Sequence, residues 1–90
     1  MTDLRDNLSE SRYEMEEDGQ IVFADYRKAG KELVIDWVEA PLSLRGTGAS
    51  GRLMKLVAEE ARAKGWKIVP ICGYAAGWLR RSREHRDLLA

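Results

Sequence analysis

The amino-acid sequence predicts a single α/β domain of the α+β type, in which an antiparallel meander leads into a parallel strand pair with two helices. Ninety residues, 44% of them hydrophobic and 33% charged, suit one small globular domain. Three strand-like segments are joined by short turns, which indicates the meander. A helical segment then separates the third strand from a fourth, and a crossover through a helix makes the strands that it joins parallel.

The first predicted strand follows residues 1–11, which are polar and are expected to form a flexible N-terminus. In the segment RYEMEE, Tyr13 and Met15 alternate with charged side chains, as in a strand with one buried face. The pair Asp18-Gly19 that comes next is a strong signal for a hairpin turn.

The meander continues through residues 20–30 and 32–40, two segments rich in β-branched and aromatic residues. Pro41 ends the third strand because it has no backbone N–H for the sheet ladder.

The helix after the meander is predicted over residues 50–65, where apolar residues from Leu53 to Ala61 recur at helical spacing. Residues 66–72 are apolar and form the fourth predicted strand. Residues 74–90 are expected to form a second helix with a short tail.

Charge and composition exclude several classes of function. Fifteen basic and fifteen acidic residues cancel, so no strong field favours nucleic acid or an anionic membrane, and no apolar run is long enough to span a bilayer. The one cysteine, Cys72, has no partner for a disulfide within the chain, which indicates a cytoplasmic protein. One cysteine and one histidine are a weak basis for a metal site, and none is predicted.

The glycine-rich stretch LRGTGASGRLM, residues 44–54, fits two loop patterns, G-x-G-x-x-G and R-G-x-G-x. The first belongs to dinucleotide-binding folds, but the strands before it here are antiparallel and no acidic residue follows about twenty residues later. The second suits a pyrophosphate: the N–H groups from Thr47 to Gly51 would converge where the helix begins, with Arg45 and Arg52 on either side. A glycine-rich turn that merely begins a helix remains the alternative.

The order of these elements resembles the GNAT family of N-acetyltransferases. Residues 45–50 match its coenzyme A motif R/Q-x-x-G-x-G/A, except that Ser50 takes the last position. The resemblance is sharper to small stand-alone members, because Glu39-Ala40-Pro41, Val69-Pro70-Ile71-Cys72 and Trp78-Leu79-Arg80-Arg81 also match. It covers residues 12–90, which we expect to form one GNAT-like domain that binds acetyl-coenzyme A.

The resemblance implies a GNAT-like fold and the transfer of an acetyl group from acetyl-coenzyme A to an amine. It implies that the loop amides hold the pyrophosphate and that the pantetheine arm lies between the strands VIDWVEA and KIVPIC. The family often has an Asn and a Tyr where this sequence has Cys72 and Leu79, and its small members often have a His where this sequence has Trp37. The resemblance therefore supports coenzyme A binding by this chain more strongly than it supports the acetyl-transfer chemistry. The expected cofactor-binding residues are Ala40, Arg45, Gly46, Thr47, Gly48, Ala49, Ser50, Gly51 and Tyr74.

Two side chains are the candidates for catalysis. Glu39, at the end of the third strand, could be a general base for an incoming ammonium, or only a solvated carboxylate. Cys72, at the end of the fourth strand, could be a nucleophile, or only a small buried residue. The backbone N–H of Ala40 or of a neighbouring residue could polarise the acetyl carbonyl. His85, within a charged tail, is expected to be solvated.

Other function classes remain open at this point. One is a non-catalytic acyl-coenzyme A binding or sensing module. Another is an adaptor that uses the run Arg80, Arg81, Arg83 and Arg86, although Glu84 and Asp87 interrupt it and make nucleic acid an unlikely partner. The acceptor amine is unidentified, and we expect a monomer or a homodimer.

Overall fold

The computed structural model describes residues 3–90 and contains a five-stranded sheet and two α-helices. No helix in this part of the chain is long and apolar enough to cross a membrane. The elements, in chain order, are β1 (Leu4–Asn7), β2 (Arg12–Glu17), β3 (Gln20–Ala29), β4 (Glu32–Glu39), a short 3₁₀ helix (Leu42–Leu44), α1 (Ala49–Lys64), β5 (Lys67–Pro70), α2 (Gly73–Arg81) and a second 3₁₀ helix (Arg86–Leu88).

The strands lie side by side in the order β1-β2-β3-β4-β5. Neighbours from β1 to β4 are antiparallel, and β4 and β5 are parallel, so the predicted meander and parallel pair are confirmed. Asp18 and Gly19 form the predicted turn between β2 and β3, with φ values of 52° and 71°. Positive φ at both central residues is the geometry that matches the twist of a tight hairpin.

The first strand lies within residues 1–11, for which the sequence predicts a flexible N-terminus. Leu4–Asn7 pairs with β2, and side chains reinforce the pairing: Arg5 Nε and Asn7 Nδ2 donate to the Glu14 carboxylate at 3.1 and 3.0 Å. These two donors satisfy Glu14, which is buried. Met1 and Thr2 lie outside the described residues.

Both helices pack on the same face of the sheet. One core cluster holds Leu53 and Val57 of α1, Ala75 and Leu79 of α2, and the alternate strand residues that point toward them. Those strand residues are Tyr13, Met15, Val22, Ala24, Tyr26, Leu33, Ile35 and Ile68. The opposite face of the sheet therefore has no helix over it within the described chain.

Two irregularities in β4 open the sheet at one end. Pairing with β3 shifts register so that Tyr26 faces Ile35 while Asp25 faces Trp37, which leaves Asp36 as an extra residue in a bulge. Pairing with β5 ends at Ile35 and Pro70. The N–H groups of Ile71 and Cys72 then both donate to the Ile35 carbonyl, at 2.9 and 3.2 Å. Beyond Ile35, β4 and β5 separate.

Candidate functional site

A tight turn connects the end of β4 to α1 and fixes the glycine loop. Its backbone is held by successive hydrogen bonds, from Leu44 N–H to the Pro41 carbonyl, from Arg45 N–H to Leu42, and from Thr47 N–H to Leu44. The Thr47 hydroxyl donates to the Leu44 carbonyl as well. The Thr47 N–H is thus used inside the turn, which corrects the expectation that it joins the group of converging donors.

Helix α1 begins at Ala49 with Gly48 as its N-cap residue. Gly48 has φ +87°, a left-handed conformation that L-residues with a side chain rarely adopt. The first helical hydrogen bond runs from Arg52 N–H to the Gly48 carbonyl, at 3.0 Å. The N–H groups of Ala49, Ser50 and Gly51 come before it, so they have no acceptor one turn back in the helix. These donors and the helix dipole favour an anion at this end of α1.

A cavity of about 310 Å³ lies over this helix end. It brings together residues that the sequence analysis had assigned to cofactor binding and that are distant in the sequence. All of them come from the glycine loop and the start of α1, except Tyr74, which comes from α2. Its lining residues are Leu44, Arg45, Gly46, Gly48, Ala49, Ser50 and Tyr74.

The other three assigned residues lie beside the cavity. Ala40 is buried, and its carbonyl accepts a hydrogen bond from Arg45 Nε at 3.3 Å. Thr47 closes the turn as described above. Gly51 lies against α2, because a Cβ placed on it would be 3.3 Å from Trp78 Nε1 and 3.4 Å from the Tyr74 hydroxyl. Glycine at position 51 therefore lets α1 and α2 approach closely.

Arg52 does not present a free charge to the loop. Its guanidinium donates to both carboxylate oxygens of Glu17 on β2, at 2.7 and 2.6 Å, and to the Thr47 carbonyl at 3.0 Å. Hydrogen bonding from Arg52 holds the pKa of Glu17 below its ordinary value, so the pair persists until the pH falls through that lowered pKa. Arg45, by contrast, forms no ion pair within residues 3–90.

The two catalytic candidates lie near the divergence of β4 and β5 but do not line this cavity. Glu39 is exposed, and its carboxylate accepts a hydrogen bond from the Trp37 indole N–H at 3.0 Å. Cys72 is a free cysteine, 7% exposed, and it caps the start of α2, where its carbonyl accepts from Ala76 N–H at 3.0 Å. Asp36, also on β4, accepts two hydrogen bonds of 2.8 Å from Arg27.

His85 corrects another expectation, since it is 5% exposed rather than solvated. Its ring stacks on Trp78 with centroids 5.7 Å apart, and its Nδ1 lies 3.1 Å from the Ser82 hydroxyl. The spacing to Trp78 and Ser82, seven and three residues back, is the one signal in the sequence that could have placed it inward. The four arginines of this segment (Arg80, Arg81, Arg83 and Arg86) are exposed.

Comparisons with known proteins agree with this architecture. The family model of GCN5-related N-acetyl-transferases matches residues 12–88. No curated protein matches the chain. Among solved structures, the NMR solution structure of a GCN5-like protein from Staphylococcus aureus is similar, with a TM-score of 0.70 and 23% sequence identity. That match covers 98% of this chain and 87% of the other, and it shows a shared fold.

Proposed function

Because this chain belongs to the GCN5-related N-acetyltransferase family, we propose that it transfers an acetyl group from acetyl-coenzyme A to an amine. Members of the family generally use acetyl-coenzyme A as cosubstrate. In this proposal the pyrophosphate of the cosubstrate occupies the cavity at the start of α1, and the thioester end reaches the space between β4 and β5.

The observation that carries the proposal is the cavity over the N–H groups of Ala49, Ser50 and Gly51, which precede the first hydrogen bond of α1. The fit can be judged at Gly48, where a side chain would strain the backbone at φ +87°, and its Cβ would lie 3.1 Å from Arg52 Nη1. Arg45 adds a positive charge to the lining, and it forms no ion pair with the other residues from 3 to 90. A doubly charged pyrophosphate is the kind of group that such backbone donors and a flanking arginine favour.

The chemistry needs few groups from the protein. Acetyl-coenzyme A supplies an acetyl group already activated as a thioester. Glu39 accepts a proton from the incoming ammonium, and its exposure at the end of β4 leaves it accessible to an amine. Because Cys72 is buried in the core cluster, we propose direct transfer to the amine without an acetylated cysteine. The backbone at Ala40 polarises the acetyl carbonyl.

Two measurements test the proposal. Titration calorimetry with coenzyme A at low salt should give a saturable heat, and amide resonances of residues 45–51 should shift. Release of the coenzyme A thiol from acetyl-coenzyme A should then depend on an added amine. If the amide resonances of residues 45–51 do not shift at millimolar coenzyme A, the assignment of the pyrophosphate to this loop is wrong. If coenzyme A binds but no amine in a broad panel promotes thiol release, the protein is instead an acyl-coenzyme A binding module.

A further inference from the structure

On the sheet face opposite the helices, β3 and β4 each carry one aromatic residue and one acidic residue two positions apart. In β3, Phe23 and Asp25 are two residues apart on this face, and in β4, Trp37 and Glu39 are two residues apart. The strands are in register here, with Phe23 opposite Glu39 and Asp25 opposite Trp37. Each strand thus places one aromatic ring and one carboxylate side by side on the face that no helix covers.

The pair in β3 already holds a cation. The guanidinium carbon of Arg12 lies 3.9 Å from the centroid of the Phe23 ring. The Nε of the same side chain lies 3.0 Å from the Asp25 carboxylate. One cation is therefore bound through the ring face and the carboxylate together, which combines a cation–π contact with an ion pair.

The pair in β4 has no such cation within residues 3–90. The Glu39 carboxylate accepts from the neutral Trp37 indole at 3.0 Å and takes part in no ion pair of this part of the chain. Trp37 is 53% exposed. Its N–H lies on the edge of the ring, so the hydrogen bond to Glu39 leaves the ring face available to a ligand.

Neighbouring carboxylates do not offer the same combination. Glu14 and Asp36 are compensated by Arg5 and Arg27. Glu16, which is exposed and forms no ion pair within the described residues, stands in register with Ile21 and has no aromatic ring opposite it.

We propose that Trp37 and Glu39 bind the acceptor as a primary alkylammonium, with the charged nitrogen against the Glu39 carboxylate and its neighbouring methylene groups on the Trp37 ring. The assignment of this site to the acceptor rests on the proposed acetyl transfer. Since β5 no longer pairs with β4 beyond Ile35, this part of β4 is open on the side where the thioester would lie.

The arrangement defines both the chemistry and the substrate class. The bound ammonium gives one proton to the Glu39 carboxylate, and the free amine then attacks the acetyl carbonyl. As the amide forms, the nitrogen loses its second proton, and the departing coenzyme A thiolate takes it up to leave as the thiol. Trp37 selects amines whose carbons next to the nitrogen are apolar. An amine with a carboxylate beside the nitrogen is disfavoured, because that group would face Glu39. A lysine side chain and a free alkylamine share the favoured chemistry.

Binding can be measured without coenzyme A, by NMR of the protein labelled with ¹⁵N. The n-butylammonium ion should shift the Trp37 indole N–H in a saturable way, and n-butanol at matched concentration should not. Glu39→Gln and Trp37→Leu should each weaken this binding by roughly two- to fivefold, the range expected for one exposed ion pair or cation–π contact. Backbone amide shifts of residues 37–39 report the binding in Trp37→Leu, which lacks the indole. Glu16→Gln removes an equal charge from the same face and should leave the affinity unchanged. Equal weakening by all three variants would overturn the proposal.

The source of the amine is distinguished by a second ligand, Nα-acetyl-lysine methylamide. Tighter binding than n-butylammonium supports a lysine side chain as the acceptor, and weaker binding supports a free amine.

Turnover separates this inference from the proposed function. Trp37→Leu should raise the KM for n-butylammonium by roughly two- to fivefold while kcat changes little, because the ring contributes binding rather than proton transfer. Saturable binding at Trp37 without any acetyl transfer would contradict the proposed function and leave the ammonium site in place. Acetyl transfer with an unchanged KM in Trp37→Leu and no shift at the indole N–H would overturn the ammonium site alone.

Discussion

Arg52, in the first turn of α1, and Glu17, at the end of β2, form a bidentate ion pair with N–O distances of 2.7 and 2.6 Å. The same guanidinium donates to the Thr47 carbonyl, so the pair also ties the glycine loop to the sheet. An arginine beside a phosphate-binding loop would ordinarily be assigned to the ligand. Here its charge is compensated from within the protein.

Glu17→Gln should therefore strengthen coenzyme A binding, by roughly two- to fivefold at low salt, since Arg52 would lose its compensating charge. Titration calorimetry at two ionic strengths measures the gain, which should shrink as salt screens the charge. Glu16→Gln is the control, because it removes an adjacent carboxylate that does not contact Arg52. Weaker binding in Glu17→Gln would contradict this prediction. It would show that the Arg52–Glu17 ion pair favours coenzyme A binding by holding the glycine loop in position, and that this outweighs its compensation of the Arg52 charge.

Gly48→Glu should abolish coenzyme A binding while the fold survives. A side chain at φ +87° costs about 1–2 kcal/mol of stability. A carboxylate at the helix end also opposes an anion, so the two effects together should bring the affinity below detection. Gly30→Ala is the control for strain, because Gly30 has φ +60° in the turn between β3 and β4, far along the chain from the loop. If Gly48→Glu keeps both its circular dichroism and its affinity, the loop is only a turn.

The fold could be predicted where the signals are local. Asp18-Gly19 defines its hairpin by its own conformational preferences, and a helical crossover dictates that β4 and β5 are parallel. Strand β1 could not be predicted in this way, because LRDN contains one apolar residue and owes its pairing to partners on β2.

The site was predictable to the extent that it is continuous in sequence. Five of the six residues from Arg45 to Ser50 line one cavity, as a motif of consecutive residues can. Arg52 and Glu17 are 35 positions apart in the sequence, so no local pattern predicts their ion pair. The register that places Phe23 opposite Glu39 depends on a bulge at Asp36, which the alternation of strand residues does not reveal.

Stability should fall in alkaline solution as tyrosines ionise. Burial, together with a hydrogen bond from its hydroxyl to Asp6 at 2.6 Å, raises the pKa of Tyr26 to about 12. Burial also raises the pKa of Tyr13, whose ring stacks on Tyr26 with centroids 4.7 Å apart. A raised pKa means that the folded state favours the neutral phenol. Stability is therefore fully present below the ordinary pKa of about 10 and is lost as the pH rises from there through the raised value.

Tyr26→Phe should reduce this alkaline loss, measured as the urea midpoint against pH. At neutral pH the variant should be less stable by about 1 kcal/mol, because it lacks the hydrogen bond to Asp6. Tyr74→Phe, which removes a phenol that is 41% exposed, should change the alkaline loss less. A Tyr26→Phe profile that runs parallel to that of the parent above pH 10 would contradict the assignment.

Glu39 and Cys72 would act in two different transfer mechanisms. Direct transfer needs a base that the amine can reach, and Glu39 is exposed at the end of β4. A covalent route needs the Cys72 thiolate to attack the thioester, release coenzyme A and carry the acetyl group to the amine, yet the residue is only 7% exposed. Glu39→Gln should therefore lower kcat by roughly a hundredfold or more, the usual contribution of a general base.

Cys72→Ala should keep the larger part of the activity, since it removes a small buried side chain and no reacting group. Intact mass after incubation with acetyl-coenzyme A gives an independent test, because an acetylated Cys72 would add one acetyl group that hydroxylamine removes. The opposite order of effects, with that acetyl group trapped on the parent protein, would make Cys72 the nucleophile. Equal activity in both variants and the parent would mean that neither residue takes part in the chemistry, so that any acceleration comes from holding the thioester and the amine together.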